Sequence, residues 1–328
     1  MRILLVDADS QKNFPNLALM KLSAWYKQQD AHVELIKGIP DHLPLYQYDK
    51  AFVSCLFFQN KEKVLNYCEQ LPFPVQVGGS GVNLQTELSN DIEHILPDYS
   101  LYDIDRSLGF TSRGCIRKCA FCVVREKEGL IKDHAPITEF LHPEHNKLIL
   151  LDNNFLASPR CKENFEYLIA HKIKVNFNQG LDIRLVNEEN AKLLKETKYS
   201  TWKFNTKRVS FAYDSPKHKN IVNKGVQILK DAGISTRSLM FYVLVGYNST
   251  FEEDMGRIDH LLELGIDPYI MRYNQTKGEN RLLMHLSRWV NWRIYRSCTF
   301  YEYDYSDSKQ VVSEYLARGC PQGAFRGA

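Results

Sequence analysis

Short apolar runs of strand length recur along the whole chain, and an amphipathic stretch follows nearly every one of them. In the first hundred residues "RILLVDAD", "HVELIKG", "KAFVSCLFF" and "PVQVGGSGV" read as strands. Between them "NLALMKLSAWYKQQD" sets Leu17, Met20, Leu22 and Tyr26 at helical spacing, and "KEKVLNYCEQL" reads as a second helix. This alternation predicts a small open α/β sheet of Rossmann or flavodoxin type, ending at the polar, proline-marked stretch "DIEHILPDYSLYDID". The pattern restarts at Leu108 with "LGFTSRG" and continues through "KLILLDNNF", "KVNFNQGLDIRL", "RVSFAYD", "SLMFYVLVG" and "DPYIMRY", with helical stretches between them. Six strands at such intervals predict a partial (β/α)6 barrel of TIM type rather than a closed eightfold one. The end, "HLSRWVNWRIYRSCTFYEYDYSDSKQVVSEYLARG", is expected to be helical and to cover the barrel. The expected organisation is therefore α/β: a Rossmann-like domain over 1–105, the partial barrel over 106–280 and a helical carboxy-terminal extension over 281–328.

Bulk properties narrow the function classes. With 328 residues, 44% hydrophobic and 25% charged, the chain has globular composition. Its apolar runs fall far short of the roughly 20 residues that cross a bilayer, so no membrane span is expected. "MRILLVDADS" enters a strand directly, without a signal-peptide core, and the protein is read as cytoplasmic. A net charge of +3 neither asks for a nucleic-acid substrate nor excludes one. Eight cysteines in such a chain are expected to be reduced, which turns attention to any cluster among them. Cys55, Cys68, Cys161, Cys298 and Cys320 are scattered, and Cys55 in "AFVSCLFF" reads as a small buried strand residue.

The other three lie within "TSRGCIRKCAFCVVREKEG", as Cys115, Cys119 and Cys122. A closed structural zinc site takes four ligands, and no fourth lies near. Three thiolates suit a 4Fe-4S cluster with one iron left open. The segment resembles the cluster motif of the radical S-adenosylmethionine (SAM) superfamily, Cys-x3-Cys-x-aromatic-Cys, with Phe121 in the aromatic position and the loop after the first barrel strand as its place. The resemblance covers about 108–275. It implies that the open iron chelates SAM and that one electron, from a reductant such as flavodoxin or ferredoxin, releases a 5'-deoxyadenosyl radical.

The same resemblance implies roles along the barrel. "LLDNNF" is similar to a second-strand segment that holds the SAM amino group, which points to Asp152, Asn153 and Asn154; capping of the next helix is the simpler reading of such residues. "FNQGLDIRL" brings Gln179, Asp182 and Arg184 to the carboxyl end of the third strand, as SAM or substrate ligands or as an Asp182–Arg184 ion pair. "FAYDS" sets Asp214 and Ser215 where the family often has a Glu-Ser pair near the ribose, or forms a turn. "LVGYNSTFEED" looks like the segment that supports adenine, through Val245 to Tyr247. Arg272 and Tyr273 end the sixth strand and, with Asp182, are the candidate catalytic residues.

The order of domains resembles radical SAM proteins with an amino-terminal cobalamin-binding-like domain. Those carry Asp-x-His-x-x-Gly after the first strand, whereas this chain reads "DADSQKNFPN", without the cobalt-ligand His, so cobalamin is not expected. The second cluster of methylthiotransferases would need three cysteines, and the first domain has Cys55 and Cys68. The leading expectation is an enzyme, of lyase or fragmentation type, acting on a small molecule such as a nitrogen heterocycle or modified nucleobase. Queuine-like base salvage is one example, with Trp289, Trp292, Tyr295, Tyr301 and Tyr303 available for stacking or for ordinary packing. The alternatives are a cobalamin-dependent radical methylase or a tRNA or DNA modification enzyme, and, from another class, a non-catalytic iron-sulfur module for electron transfer or sensing.

Overall fold

The computed structural model describes residues 1–10, 14–273 and 281–317. Cys320 and the rest of 318–328, expected in the carboxy-terminal extension, lie outside the described residues. The protein is mixed α/β with parallel sheets and groups into two compact units, Met1–Asp152 and Asn153 onward. Residues 106–152, expected to open the barrel, lie within the first. Among the described residues no helix is long and apolar enough to cross a membrane.

In the first unit, β1 (Arg2–Asp7) pairs in parallel with β2 (His32–Lys37) on one side and β3 (Lys50–Ser54) on the other, and β4 (Val75–Gly78) extends the sheet beyond β3. Successive strand residues point to opposite faces. Leu4 and Val6 pack with Ala51, Val53, Val64 and Tyr67, while Ile3 and Leu5 pack with Phe52, Leu19 and Leu22. A central strand covered on both faces needs no polar side, which is why "ILLV" runs unbroken. Helix α1 (Leu17–Lys27) starts at Asn16, whose side chain accepts from the Leu19 N–H and donates to Ser54 Oγ at 2.7 Å. The acidic turn after β1 serves the sheet: Asp7 accepts from Tyr102 at 2.6 Å, and Asp9 accepts from the Leu56 N–H and, at 2.6 Å, from Asn60 Nδ2. Helix α2 (Lys61–Glu69) follows that loop, and α3 (Asn90–Glu93) precedes the next strand.

The unit closes with β5 (Ser107–Gly109), β6 (Ser112–Arg113), α4 (Val124–Lys127), β7 (Lys132–Asp133), α5 (Ile137–Phe140) and β8 (Lys147–Leu150). β5 pairs in parallel with β8, and β6 with β7 as a short antiparallel ladder.

The second unit alternates α6 (Cys161–Ala170), β9 (Lys174–Phe177), α7 (Glu188–Glu196), β10 (Lys198–Tyr199), β11 (Val209–Ala212), α8 (Lys219–Asp231), β12 (Leu239–Val245), α9 (Phe251–Glu263) and β13 (Asp267–Arg272). β11, β12 and β13 form one parallel sheet, and Leu181 bridges Phe211 to bring the loop after β9 beside it. That loop is clamped by α8, where a Cβ on Gly225 would lie 2.6 Å from Ile183 Cδ1 and 3.0 Å from its carbonyl oxygen. Gly225→Ala is therefore expected to destabilise the protein in a urea melt. The overpacking costs about 1–3 kcal/mol, more than the roughly 1 kcal/mol that alanine gains over glycine in a helix.

The end of the chain is helical in two pieces, α10 (Arg281–Asn291) and α11 (Ser308–Ala317), rather than throughout. Arg293 turns the chain out of α10 with φ of 60°. Asn291 completes the open edge of β13, accepting from the Ile270 N–H and donating to its carbonyl. The tail aromatics mostly pack on one another: Trp289 lies against Tyr295 and Phe300, and Tyr303 is buried beside His285. Packing thus accounts for Trp289, Tyr295 and Tyr303, while Trp292 is exposed.

Candidate functional site

The three clustered cysteines stand on the loop between β6 and β7 and form no disulfide, Cys115 and Cys119 half-buried and Cys122 exposed. The loop is built from its ends inward. Asp152, just past β8, is 3% exposed and takes four hydrogen bonds from two consecutive residues, from Thr111 N and Oγ1 at 3.1 and 2.6 Å and from Ser112 N and Oγ at 2.7 and 2.6 Å. Burial raises its carboxyl above the usual range against these donors. Asp152 thereby fixes where the cysteine loop leaves the sheet.

Next along the chain, Gly114 has φ of 80°, and a Cβ there would fall 2.3 Å from the Leu130 carbonyl oxygen, so only glycine lets the two arms of the loop meet. Glu128 spans the same gap, accepting from the Gly114 N–H at 2.9 Å and pairing with Arg113 at 3.1 Å. Cys115 N–H donates to the Gly129 carbonyl, and Arg125 donates to the Cys115 carbonyl at 3.2 Å. Within the loop the Arg117 N–H donates to Cys115 Sγ at 3.3 Å, and the Cys122 N–H closes a turn on the Cys119 carbonyl, with half-buried Phe121 inside it. Lys127 anchors the far side by donating to Ser80 Oγ at 2.8 Å in the glycine turn after β4.

This donor set fits a 4Fe-4S cluster. Three thiols share one short loop, the Arg117 N–H turns toward the Cys115 sulfur, and Arg113, Arg117, Lys118 and Arg125 make the segment basic. No group of three His, Cys, Asp or Glu side chains among the described residues closes to the spacing of a single metal ion. A cubane takes its thiolates on separate irons, so its ligands stand further apart.

The remaining candidates lie in the second unit, at the carboxyl ends of its strands. Arg184 donates to both carboxylate oxygens of Asp182, from Nε at 2.6 Å and Nη2 at 2.9 Å, and Asn154 Nδ2 lies 3.4 Å from the same carboxylate. The expected ion pair is formed, and Asn154 joins it. Gln179 is exposed beside it and Asn153 half-buried. Asp214 sits at the end of β11, where burial raises its carboxyl while the charges of Arg257 and Arg184 pull it down; no hydrogen bond reaches it among the described residues. Ser215 follows as the N-cap of a short 3-10 turn, Pro216–His218, its carbonyl accepting from the His218 N–H. Val245 is buried and accepts from the Tyr273 N–H at 3.0 Å, while the Tyr247 and Tyr273 rings meet edge to face with centroids 4.6 Å apart. Arg272 is half-buried at the end of β13.

Two residues without an expected role hold these ends together. Arg257 on α9 is 1% exposed and donates to the Tyr213 carbonyl at 2.8 Å, the Leu244 carbonyl at 2.7 Å and the Asp254 carboxylate. Asp254 in turn accepts from the Gly246 N–H at 2.9 Å and Ser249 Oγ at 2.6 Å. The pair ties the ends of β11 and β12 to one helix. The local signals are the Thr250–Glu253 capping box that starts α9 and the i, i+3 spacing of Asp254 and Arg257 on it; neither shows which strand ends the pair holds.

The chain thus combines an α/β fold of parallel sheets with three cysteines on one loop between strands. No known protein family and no curated protein matches the chain. Among solved structures it is similar to the apo, selenomethionine-labelled form of OxsB, described as a cobalamin-dependent S-adenosylmethionine radical enzyme, with a TM-score of 0.51 and 14% identity. The match covers 78% of this chain and 51% of that one, so the chain spans about half the length of that protein. At this identity the likeness is one of fold.

Proposed function

We propose that the protein is a radical SAM enzyme acting on a small molecule. The observation that carries the reading is the loop that bears the three cysteines, whose backbone is held by Gly114, Glu128 and Asp152. A bound 4Fe-4S cluster would supply an open iron for SAM and the electron that cleaves it to a 5'-deoxyadenosyl radical. Cys115, Cys119 and Cys122 would hold the cluster. Arg184, held by both carboxylate oxygens of Asp182, would place positive charge beside a substrate or SAM carboxylate, and the Val245–Tyr247 segment would offer backbone groups to an adenine. The similarity in fold to a radical SAM enzyme supports the reading, as does the alternation of strands that suggests a Rossmann-like domain, a partial barrel and a tail.

The reading assigns no cobalamin. In the turn after the first strand Asp9 stands in place of the motif's histidine, and its carboxylate is engaged with Leu56 and Asn60. A lyase or fragmentation reaction needs no second cofactor, only a reductant of the flavodoxin or ferredoxin class.

The test is to load the protein anaerobically with iron and sulfide, add SAM and dithionite, and look for 5'-deoxyadenosine by chromatography. Its release is the expected result. A cluster-loaded protein that releases none would be an electron-transfer or sensing module instead.

A further inference from the structure

The sheet of β11, β12 and β13 has two unlike faces. Phe211, Phe241, Val243 and Ile270 are buried, whereas the residues between them are only half-buried or exposed. The parallel register aligns the open-face residues into rows: Ser210 with Met240, Ala212 with Tyr242 and Tyr269, and Leu244 with Met271. Tyr269 and Met271 are 39% and 45% exposed, although both are large and apolar in the body. Asp214, two residues beyond Ala212, continues the β11 side of the face, since the Tyr213 N–H still donates to the Tyr242 carbonyl at 2.8 Å. Tyr242 is braced in place, with Gly180 against its ring and the Tyr269 ring 5.8 Å away at 88°. Tyr247 and Tyr273 meet just beyond the last row.

We propose that this face, with Tyr269 and Met271 as platform and Asp214 at its far edge, binds the substrate, and that the substrate is a planar, one- or two-ring nitrogen heterocycle carrying an N–H or amino group. That the occupant is the substrate rests on the radical SAM reading; that it is a planar heterocycle rests on the face alone. Size comes first: Asp214 stands two strand spacings across and two residues along from Tyr269, roughly 12 Å on the diagonal, which fits a one- or two-ring molecule between them. Chemistry comes second. An aromatic ring stacked on Tyr269 gains about 0.5–1.5 kcal/mol beyond its buried area, and a thioether at a ring edge adds to this. An aliphatic occupant would cover the same face and shut water away from the half-buried Asp214 carboxyl, which accepts no hydrogen bond among the described residues, at a cost of about 1–3 kcal/mol. A donor on the ring supplies the missing partner. The aromatic platform is thus on β12 and β13, not among the tail aromatics.

The probe is 2-aminopurine, a two-ring base whose fluorescence falls on stacking, titrated into the full-length protein. Saturable quenching is expected, weakened about tenfold in Tyr269→Ala, kept within about threefold in Tyr269→Phe, and not displaced by cyclohexylamine, which has the donor without the ring. Absence of saturable binding up to millimolar probe, equal affinity in Tyr269→Ala, or displacement by cyclohexylamine would overturn the proposal. The two readings fail separately. Wild-type protein that binds 2-aminopurine but releases no 5'-deoxyadenosine removes the radical reading alone, and protein that releases it but binds no 2-aminopurine removes the heterocycle proposal alone.

Discussion

Cys119→Ala is expected to give a folded protein that binds no 4Fe-4S cluster and yields no 5'-deoxyadenosine. Cys119 sits on the loop rather than in the core, half-buried, with the turn to Cys122 made by its backbone carbonyl, which alanine retains. Folding should therefore survive, while a cubane left with two thiolates loses its hold. After anaerobic reconstitution, bound iron, the visible charge-transfer absorbance and product should all fall to background, with the far-ultraviolet circular dichroism unchanged. Cys298→Ala, on the tail, should match wild type in all four measurements. A Cys119→Ala protein with wild-type iron and product would overturn the assignment of the loop.

The largest effect on stability is expected at Asp254. Removing its carboxylate strands the Arg257 guanidinium, 1% exposed, in a site that water does not reach, and breaking a buried pair from one side costs about 3–5 kcal/mol. That is a large part of the roughly 5–15 kcal/mol by which domains are stable. Asp254→Ala should lower the urea midpoint sharply, and it also releases the Gly246 N–H and Ser249 Oγ, so the loop after β12 should exchange amide hydrogens faster. Arg257→Met on top of Asp254→Ala removes the stranded charge and should recover part of the loss. A double variant no more stable than Asp254→Ala would mean that the lost loop contacts, not the stranded charge, dominate.

Legibility differs between elements for a physical reason. "ILLV" and "LMFYVLV" were readable as strands because alternation and continuous burial are written in neighbouring residues. The tail was legible as helical and its aromatics as open to stacking or packing; where Arg293, in a left-handed conformation, turns the chain out of α10 and how Trp289, Tyr295 and Phe300 pack on one another had no local signal. Among the site candidates, the Asp182–Arg184 pair was visible because its partners are two residues apart. The four bonds that Thr111 and Ser112 donate to Asp152 span about forty residues and have no local signature.

By itself the sequence determined the alternation of strands and helices, the parallel sheets that alternation demands, and three thiols on one loop, all consequences of residue spacing within a few positions. Tertiary structure alone decided that Asp152 anchors the cysteine loop, that Asp254 and Arg257 tie two strand ends to α9, and that Tyr242 and Tyr269 fall in one row with Ala212, with Asp214 two residues further along the same face. Those relations depend on strand register and desolvation, which arise only when segments far apart in the chain pack against one another.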